Sequence, residues 1–263
     1  MAGTVYYNGQ EYSQRSANEG LAGYFLASAA SGAVLAPVAI PSYFAQKQLL
    51  KEQINNAQYK DAFIKAHESS GLKAKGVKII EAQKEFGSNA FIKGQNAAYI
   101  HSPAGNVVYI NTDKISCAGF HELGHAMNNL MSKYGVKYLQ KARKPCYAIA
   151  ALMEYFAIFS RTKPKGAPRS FTDVIEDNCG KIAFFAMLPV VAEEAIASYR
   201  GYNLAKKAGL SKTLLKNVKK MQWTALSTYI AGAVLGGLAV YTSRKIMDSF
   251  TRPKPVENGY YWG

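Results

Sequence analysis

The chain is poor in sulfur and in acid. Its three cysteines, Cys117, Cys146 and Cys179, include no C-x-x-C pair. An odd, scattered set excludes a disulfide framework and a cysteine-rich zinc site, and leaves three small buried apolar residues in a reducing compartment. Asp and Glu number 17 against 32 Lys and Arg, for a formal net charge of +15. Such an excess favours an anionic partner, either nucleic acid or a membrane surface. The basic residues run from Arg15 to Lys254 with no arginine-rich patch and no nucleic-acid motif, so the expected partner is an anionic membrane surface and no nucleic acid. Internal repeats and low-complexity tracts are also missing. The N-terminus lacks the layout of a signal peptide, because mixed polar residues including Glu11, Arg15 and Glu19 precede the first apolar run. What remains is a globular composition, 49% hydrophobic and 19% charged, sufficient for one large domain or two small ones.

Long apolar runs are present. The stretch from Leu21 to Phe44 carries no charge, and its length suits a membrane span, with Pro37 and Pro41 placed to kink or end it. A second uncharged run, Thr224 to Ser243, is closed by Arg244 and Lys245, and its Gly232, Gly236 and Gly237 are spaced for close helix packing. Two shorter runs contain acids: Tyr147 to Ser160 holds Glu154, and Ile182 to Ser198 holds Glu193 and Glu194. They read as core helices or a shallow hairpin, and an acid inside an apolar helix requires a charge partner, a metal or a proton. Between these runs, Lys47 to about Lys84 reads as helix broken at Ser69-Ser70-Gly71, with a short strand at Lys78-Ile79-Ile80. Asn106 to Asn111 is a stronger strand, β-branched and aromatic, after the turn-forming Pro103-Ala104-Gly105. Thr112 or Asp113 would cap the next helix, which runs toward Lys133 and stops near Gly135. The tail from Thr251 reads as irregular.

That next helix contains His121-Glu122-Leu123-Gly124-His125, an H-E-x-x-H pattern. Residues four apart share one helix face, so both imidazoles can reach a single ion, while Glu122 projects where it can act on a water as general base. A catalytic zinc needs a third protein ligand, and Glu154, Glu193, Glu194 and the Asn128-Asn129 pair are the candidates. Neighbouring residues on a helix point about 100 degrees apart, so only one of Glu193 and Glu194 is expected to face the ion. Cys117 shares the His121 face but reads as a buried structural cysteine. His67 and His101 are isolated, with a surface position expected for His101. Tyr199, Arg200 and Tyr202 are candidates for oxyanion stabilisation, Arg200 equally for pairing with Glu193 or Asp177. Lys141-Ala142-Arg143-Lys144 and Lys216 to Lys220 read either as solvated faces or as contacts to lipid headgroups.

Three segments resemble the gluzincin peptidases that include CAAX prenyl proteases and HtpX-type membrane proteases. They are Asn89-Ala90-Phe91-Ile92-Lys93-Gly94, similar to N-A-F-x-x-G before an edge strand; HELGH itself; and Glu194 to Gly201, similar to E-x-x-A-D-x-x-G. The likeness covers roughly residues 60 to 205, in the family's order and spacing. It implies a zinc-dependent, membrane-associated endopeptidase with His121, His125 and Glu194 as ligands and Glu122 as base. It further implies a protein or peptide substrate paired to an edge strand, here Asn106, Val107, Val108, Tyr109, Ile110 and Asn111. Ser198 stands where the family has an aspartate that supports a zinc-binding histidine.

The expected fold is therefore α+β and mainly helical: a zincin-like domain with a small sheet and apolar membrane-associated helices. Residues 1–46 would form a polar segment and apolar helix, 47–222 the catalytic domain, and 223–263 an apolar helix and irregular tail. The basic catalytic segment would face the cytoplasm. A site-2-type intramembrane protease is disfavoured, since the chain has no L-D-G motif. A membrane-anchored zinc-binding scaffold without protease activity is the alternative.

Overall fold

A computed structural model describes residues 4–7, 10–14, 17–40, 43–44, 47, 57–87, 97–111, 117–132, 135–160, 162–164 and 166–255. The described chain is mainly helical with two three-stranded sheets. It divides into two compact units, each assembled from separate stretches of sequence. One comprises residues 1–37, 145–187 and 232–263, the other 38–144 and 188–231. The expected catalytic stretch 47–222 is thus shared between them.

The first unit begins with strands β1 (Thr4–Tyr7) and β2 (Gln10–Ser13), antiparallel to each other, with β6 (Lys254–Pro255) on the far side of β2. Neither the N-terminal strands nor a paired tail was expected, although Asn8-Gly9 between β1 and β2 is a two-residue hairpin signal in the sequence. Helix α1 (Ala17–Leu35) passes at Ala36–Val38 into a 3₁₀ turn containing Pro37, which cannot donate to a continuing helix. The unit also takes in the C-terminal part of α5 (Val136–Phe159), the short α6 (Phe171–Asp177), the start of α7 (Cys179–Lys207) and the C-terminal part of α8 (Lys212–Thr251). Helices α7 and α8 meet backbone to backbone: a Cβ on Gly180 would lie 2.7 Å from the Gly237 carbonyl oxygen, and one on Gly237 would lie 2.8 Å from that of Gly180. Of the three glycines expected at a helix contact, only Gly237 makes one, for Gly232 and Gly236 have nothing within 4 Å. Many large apolar side chains of this unit point outward, among them Phe25, Leu152, Phe159, Phe185 and Leu238.

Among the described residues, three helices are long and apolar enough to cross a membrane: residues 18–38, α7 and α8. The inclusion of α7 corrects the reading of Ile182–Ser198 as a short core helix. Its 29 residues remain helical on both sides of the acidic pair because that pair is neutralised internally, as described below.

The second unit holds the other sheet, ordered β3-β5-β4. Strand β3 (Val77–Glu81) runs parallel to β5 (Gly105–Ile110), and β4 (Ala97–Ser102) is antiparallel to it in a tight hairpin. Helix α2 (Ala57–Ser69) and the following chain pack on this sheet and on α4 (Cys117–Leu130); α3 (Ala82–Phe86) follows β3. The core joins Tyr59, Phe63, Leu72, Val108, Phe120, Leu123, Leu204 and Val218, and Phe63 meets Phe120 edge to face. His67 lies inside it, its Nε2 donating to the Val77 carbonyl at 2.9 Å, and burial lowers its pKa so that the ring stays neutral. Cys117 is fully buried here, as expected of a structural cysteine. Segment 89–94 and the cap candidates Thr112 and Asp113 lie outside the described residues, and the described helix α4 ends at Leu130.

One sequence expectation is overturned by the sheet order. Strand β5, read as the edge that would receive a substrate, is the middle strand, with both edges occupied by β3 and β4. Val108 and Ile110 are buried beneath the sheet, and Asn106 is turned to Tyr99 and His101. Asn106 to Asn111 therefore cannot take an added strand. The edge beside α4 is β4.

Candidate metal centre

Helix α4 brings His121 and His125 to one face, and α7 crosses it at contact distance. The contact depends on two glycines. A Cβ on Gly124 would be driven into the Ala197 carbonyl oxygen, and one on Gly201 into that of Phe120. With the two backbones this close, the acidic pair of α7 reaches the imidazoles of α4.

Three ligand atoms converge. His121 Nε2 and His125 Nε2 are 3.0 Å apart, and Glu194 Oε2 lies 3.1 Å from the first and 3.5 Å from the second. A tetrahedral ion with bonds of 2.0–2.1 Å separates its ligand atoms by about 3.3 Å, so these spacings fit one zinc-sized ion. The other nitrogen of each ring is engaged. His121 Nδ1 is 3.2 Å from Ser198 Oγ, and His125 Nδ1 is 2.9 Å from Glu193 Oε1. With both Nδ1 atoms so held, both Nε2 atoms are directed at the same point.

The two acids of α7 thus divide the work. Glu194 presents an oxygen to the triad, while Glu193, fully buried, orients His125 and accepts from Asn128 Nδ2 at 2.8 Å. Arg143 of α5 bridges both, 3.0 Å from Glu193 Oε2 and 2.6 Å from Glu194 Oε1. By proximity, two further groups could hold an ion: His121, Glu122 and His125, and His125, Glu193 and Glu194. The oxygens of Glu193 are already taken by His125, Asn128 and Arg143, so the set with Glu194 and both Nε2 atoms is the better one. Burial alone would lower the pKa of His125, but Glu193, Glu194 and Glu122 reverse this and hold it up at about 10. Three carboxylates, Glu122, Glu193 and Glu194, thus gather around two imidazoles and one guanidinium. Buried His and Glu groups here could hold a metal ion.

Glu122 has a carboxylate oxygen within 4.8 Å of ligand nitrogens of both His121 and His125, and its Oε2 accepts the Tyr99 N–H of β4 at 2.7 Å. Because that N–H is aimed at Glu122 and not at β5, pleat alternation turns the peptide groups of Ala97, Tyr99 and His101 to the outer edge of β4. Tyr99 also anchors this corner through its hydroxyl, which donates to Asn106 Oδ1 and accepts from Asn129 Nδ2, and its burial raises the phenol pKa. A cavity of about 500 Å³ opens over the site. It is bordered by residues 97–99, by the α4 face carrying His121, Glu122 and His125, by Gln140 and Arg143 of α5, by Glu194, and by α8 residues including Gln222 and Tyr229.

Of the residues singled out in the sequence, the structure brings His121, Glu122, His125 and Glu194 together. Tyr199 is exposed, Arg200 donates to Ser132 Oγ at 2.6 Å, and Tyr202 borders a separate cavity, so none of these lines the space over the triad. Glu154 accepts from Ser31 and Ser243 in the other unit. His101 is exposed and paired to Asn106. Missed in the sequence were Arg143, hidden in a basic cluster that read as surface, and Tyr229, hidden in an apolar run and lying beside Glu194 and Arg143. For Arg143 a signal existed, since two adjacent acids in an apolar helix demand a cation. For Tyr229 there was none.

Ser198 occupies the position of an orienting partner but brings no charge. If the group holds a metal ion, Ser198→Asp is expected to tighten its binding about tenfold, and Ser198→Ala to weaken it, as read by competition with a chelator of known affinity. Unchanged affinity in both would show that the 3.2 Å contact does not orient His121.

Comparison with protein-family models, curated proteins and solved structures finds no match to this chain.

Proposed function

We propose that the chain is a zinc-dependent, membrane-associated endopeptidase of the gluzincin kind that the sequence resembles. The observation that carries this reading is the convergence of His121 Nε2, His125 Nε2 and Glu194 Oε2, with the Glu122 carboxylate, tied to the Tyr99 N–H, beside them in an open cavity. Two imidazoles and one carboxylate with space for a fourth partner form the donor set of a catalytic zinc; structural sites are closed by four protein ligands. Zinc, when bound there, supplies Lewis acidity, bringing the pKa of water to about 7 and polarising a carbonyl.

The remaining work falls to the chain's own residues. Glu122 takes the proton of the attacking water on its carboxylate and returns it to the departing amine, so that one water is added across the peptide bond. The Tyr99 N–H fixes that carboxylate and leaves its second oxygen for the proton. The outer edge of β4 receives the substrate as an added strand, reading main chain. Arg143 bridges Glu193 and Glu194 and offsets the repulsion between their charges. Three helices of membrane-crossing length, the outward apolar side chains of the first unit and the surplus of Lys and Arg support attachment to an anionic membrane. By the positive-inside rule the metal-bearing unit faces the cytoplasm.

Purified chain in detergent, loaded with zinc, is expected to cleave unfolded casein, to stop when a chelator removes the metal, and to resume when zinc is restored. Stoichiometric zinc with intact casein and intact peptide pools would favour a zinc-binding scaffold.

A further inference from the structure

A cavity of about 380 Å³ is lined by α7 and α8 alone. On α7 its lining runs from Ala195 to Tyr202 at i, i+3, i+4 and i+7, and on α8 from Lys219 to Leu226 with the same spacing, so one stripe of each helix borders it. Ala195 and Ser198 are short side chains, whereas Tyr199, Tyr202 and Trp223 bring aromatic rings to the border. Tyr199 and Trp223 are 69% and 60% exposed. Two large aromatic side chains left open beside an apolar cavity mark a place where an apolar partner is taken up.

The charge around the cavity has one sign. No acidic residue lies between Glu194 and Asp248, while residues 200–220 hold one Arg and six Lys. Arg200 is tied to Ser132, but all six lysines are exposed, and none is paired with an acid among the described residues. Lys219 belongs to the cavity border, and Trp223 immediately precedes the uncharged run Thr224–Ser243. Trp and Tyr beside Lys at the start of such a run mark the headgroup level of a bilayer. The occupant that fits must combine an apolar body with negative charge at one end. At headgroup level that molecule is an anionic phospholipid, for which a basic pocket between two membrane helices is the physical complement.

We infer that this cavity holds one anionic phospholipid, its phosphate on Lys219 Nζ and the upper part of an acyl chain against Tyr199, Tyr202 and Trp223. The inference rests on the membrane part of the proposed function, not on peptide hydrolysis. It assigns a discrete site where that reading needs only diffuse attraction. The volume lies within the range of small-molecule sites, about 300–1,000 Å³, and takes part of a lipid rather than the whole. Ser198, whose Oγ is 3.2 Å from His121 Nδ1, belongs to the same wall, so the lipid lies behind the His121 imidazole and outside the space over the triad.

The test uses the full chain with Trp262→Phe, which leaves Trp223 as the only tryptophan, in phosphatidylcholine nanodiscs. Phosphatidylglycerol or phosphatidylcholine brominated on the acyl chain is added as a minor component, and quenching of Trp223 fluorescence reports contact. Brominated phosphatidylglycerol is expected to reach half-quenching at a mole fraction about fivefold below that of brominated phosphatidylcholine. Lys219→Gln is expected to remove most of this preference, and Lys212→Gln, outside the cavity lining, to retain it. Equal quenching by the two lipids overturns the proposal, leaving an apolar cavity blind to charge. A preference that survives Lys219→Gln, or that falls equally in Lys212→Gln, overturns it as well and means diffuse surface attraction. If the chain does not enter nanodiscs at all, the membrane reading falls and takes the site with it, a result seen before any quenching is measured.

Discussion

Glu122→Gln is expected to reduce kcat on a fluorogenic peptide by about a thousandfold, within the range that general acid–base groups contribute, while zinc content stays at the wild-type level. The substitution is nearly isosteric. Glutamine Oε1 can still accept the Tyr99 N–H that now holds Glu122 at 2.7 Å, so the local geometry persists. What disappears is the capacity to take up a proton. His121, His125 and Glu194 are untouched, so the metal is retained. The variant therefore separates chemistry from metal binding. More than a tenth of wild-type activity in Glu122→Gln would remove Glu122 from the role of base.

The second large effect is expected at a residue without functional groups. Gly124→Ala should destabilise the unit that contains the two histidines by about 3 kcal/mol and weaken the proposed zinc binding more than a hundredfold. The added Cβ is driven into the Ala197 carbonyl oxygen, which is backbone and cannot swing aside. The two helices must separate by about an ångström or more to restore van der Waals contact. Glu194 sits one turn before Ala197, so the same displacement draws its carboxylate away from two imidazoles that it now approaches to 3.1 and 3.5 Å. Gly232→Ala is the control: nothing lies within 4 Å of its Cβ, and removing a glycine from a helix interior should stabilise by about 0.5–1 kcal/mol. Thermal unfolding and zinc titration of the pair check both. Wild-type zinc affinity in Gly124→Ala would contradict the proposed dependence of the triad on helix approach.

What was legible in the sequence was local. His121 and His125 are four apart, and helix geometry alone puts them on one face. Glu194 was reached by resemblance and by the rule that an acid in an apolar helix needs a reason, but the division of labour between Glu194 and Glu193 depends on how α7 is rotated against α4. Gly124 reads as an unconstrained position of H-E-x-x-H, and only the Ala197 carbonyl opposite reveals its role. Arg143 is separated from its partners by 50 residues, and nothing near it in sequence distinguishes it from Lys141 or Lys144. The strand at 105–110 was found, yet its place in the sheet was not. A strand's own residues encode its alternation, whereas which neighbour lies on each side is settled by the rest of the chain, and a β-branched run with buried Val108 and Ile110 marks a central strand as readily as an edge. The extent of α7 was underestimated because the apolar run from Ile182 to Ser198 is short and holds Glu193 and Glu194, whereas the helix runs from Cys179 to Lys207 with both acids paired inside it.

The most direct test of the central claim is the coordination of the bound metal. Zinc content of dialysed protein together with X-ray absorption at the zinc edge counts the ligands and identifies them. The expected result is one zinc per chain held by two imidazole nitrogens and one carboxylate oxygen at about 2.0–2.1 Å, with a fourth, exchangeable water ligand, and no retained zinc in His121→Ala or Glu194→Ala. A chain that retains no zinc, or holds it with four protein ligands and no water, would contradict the account.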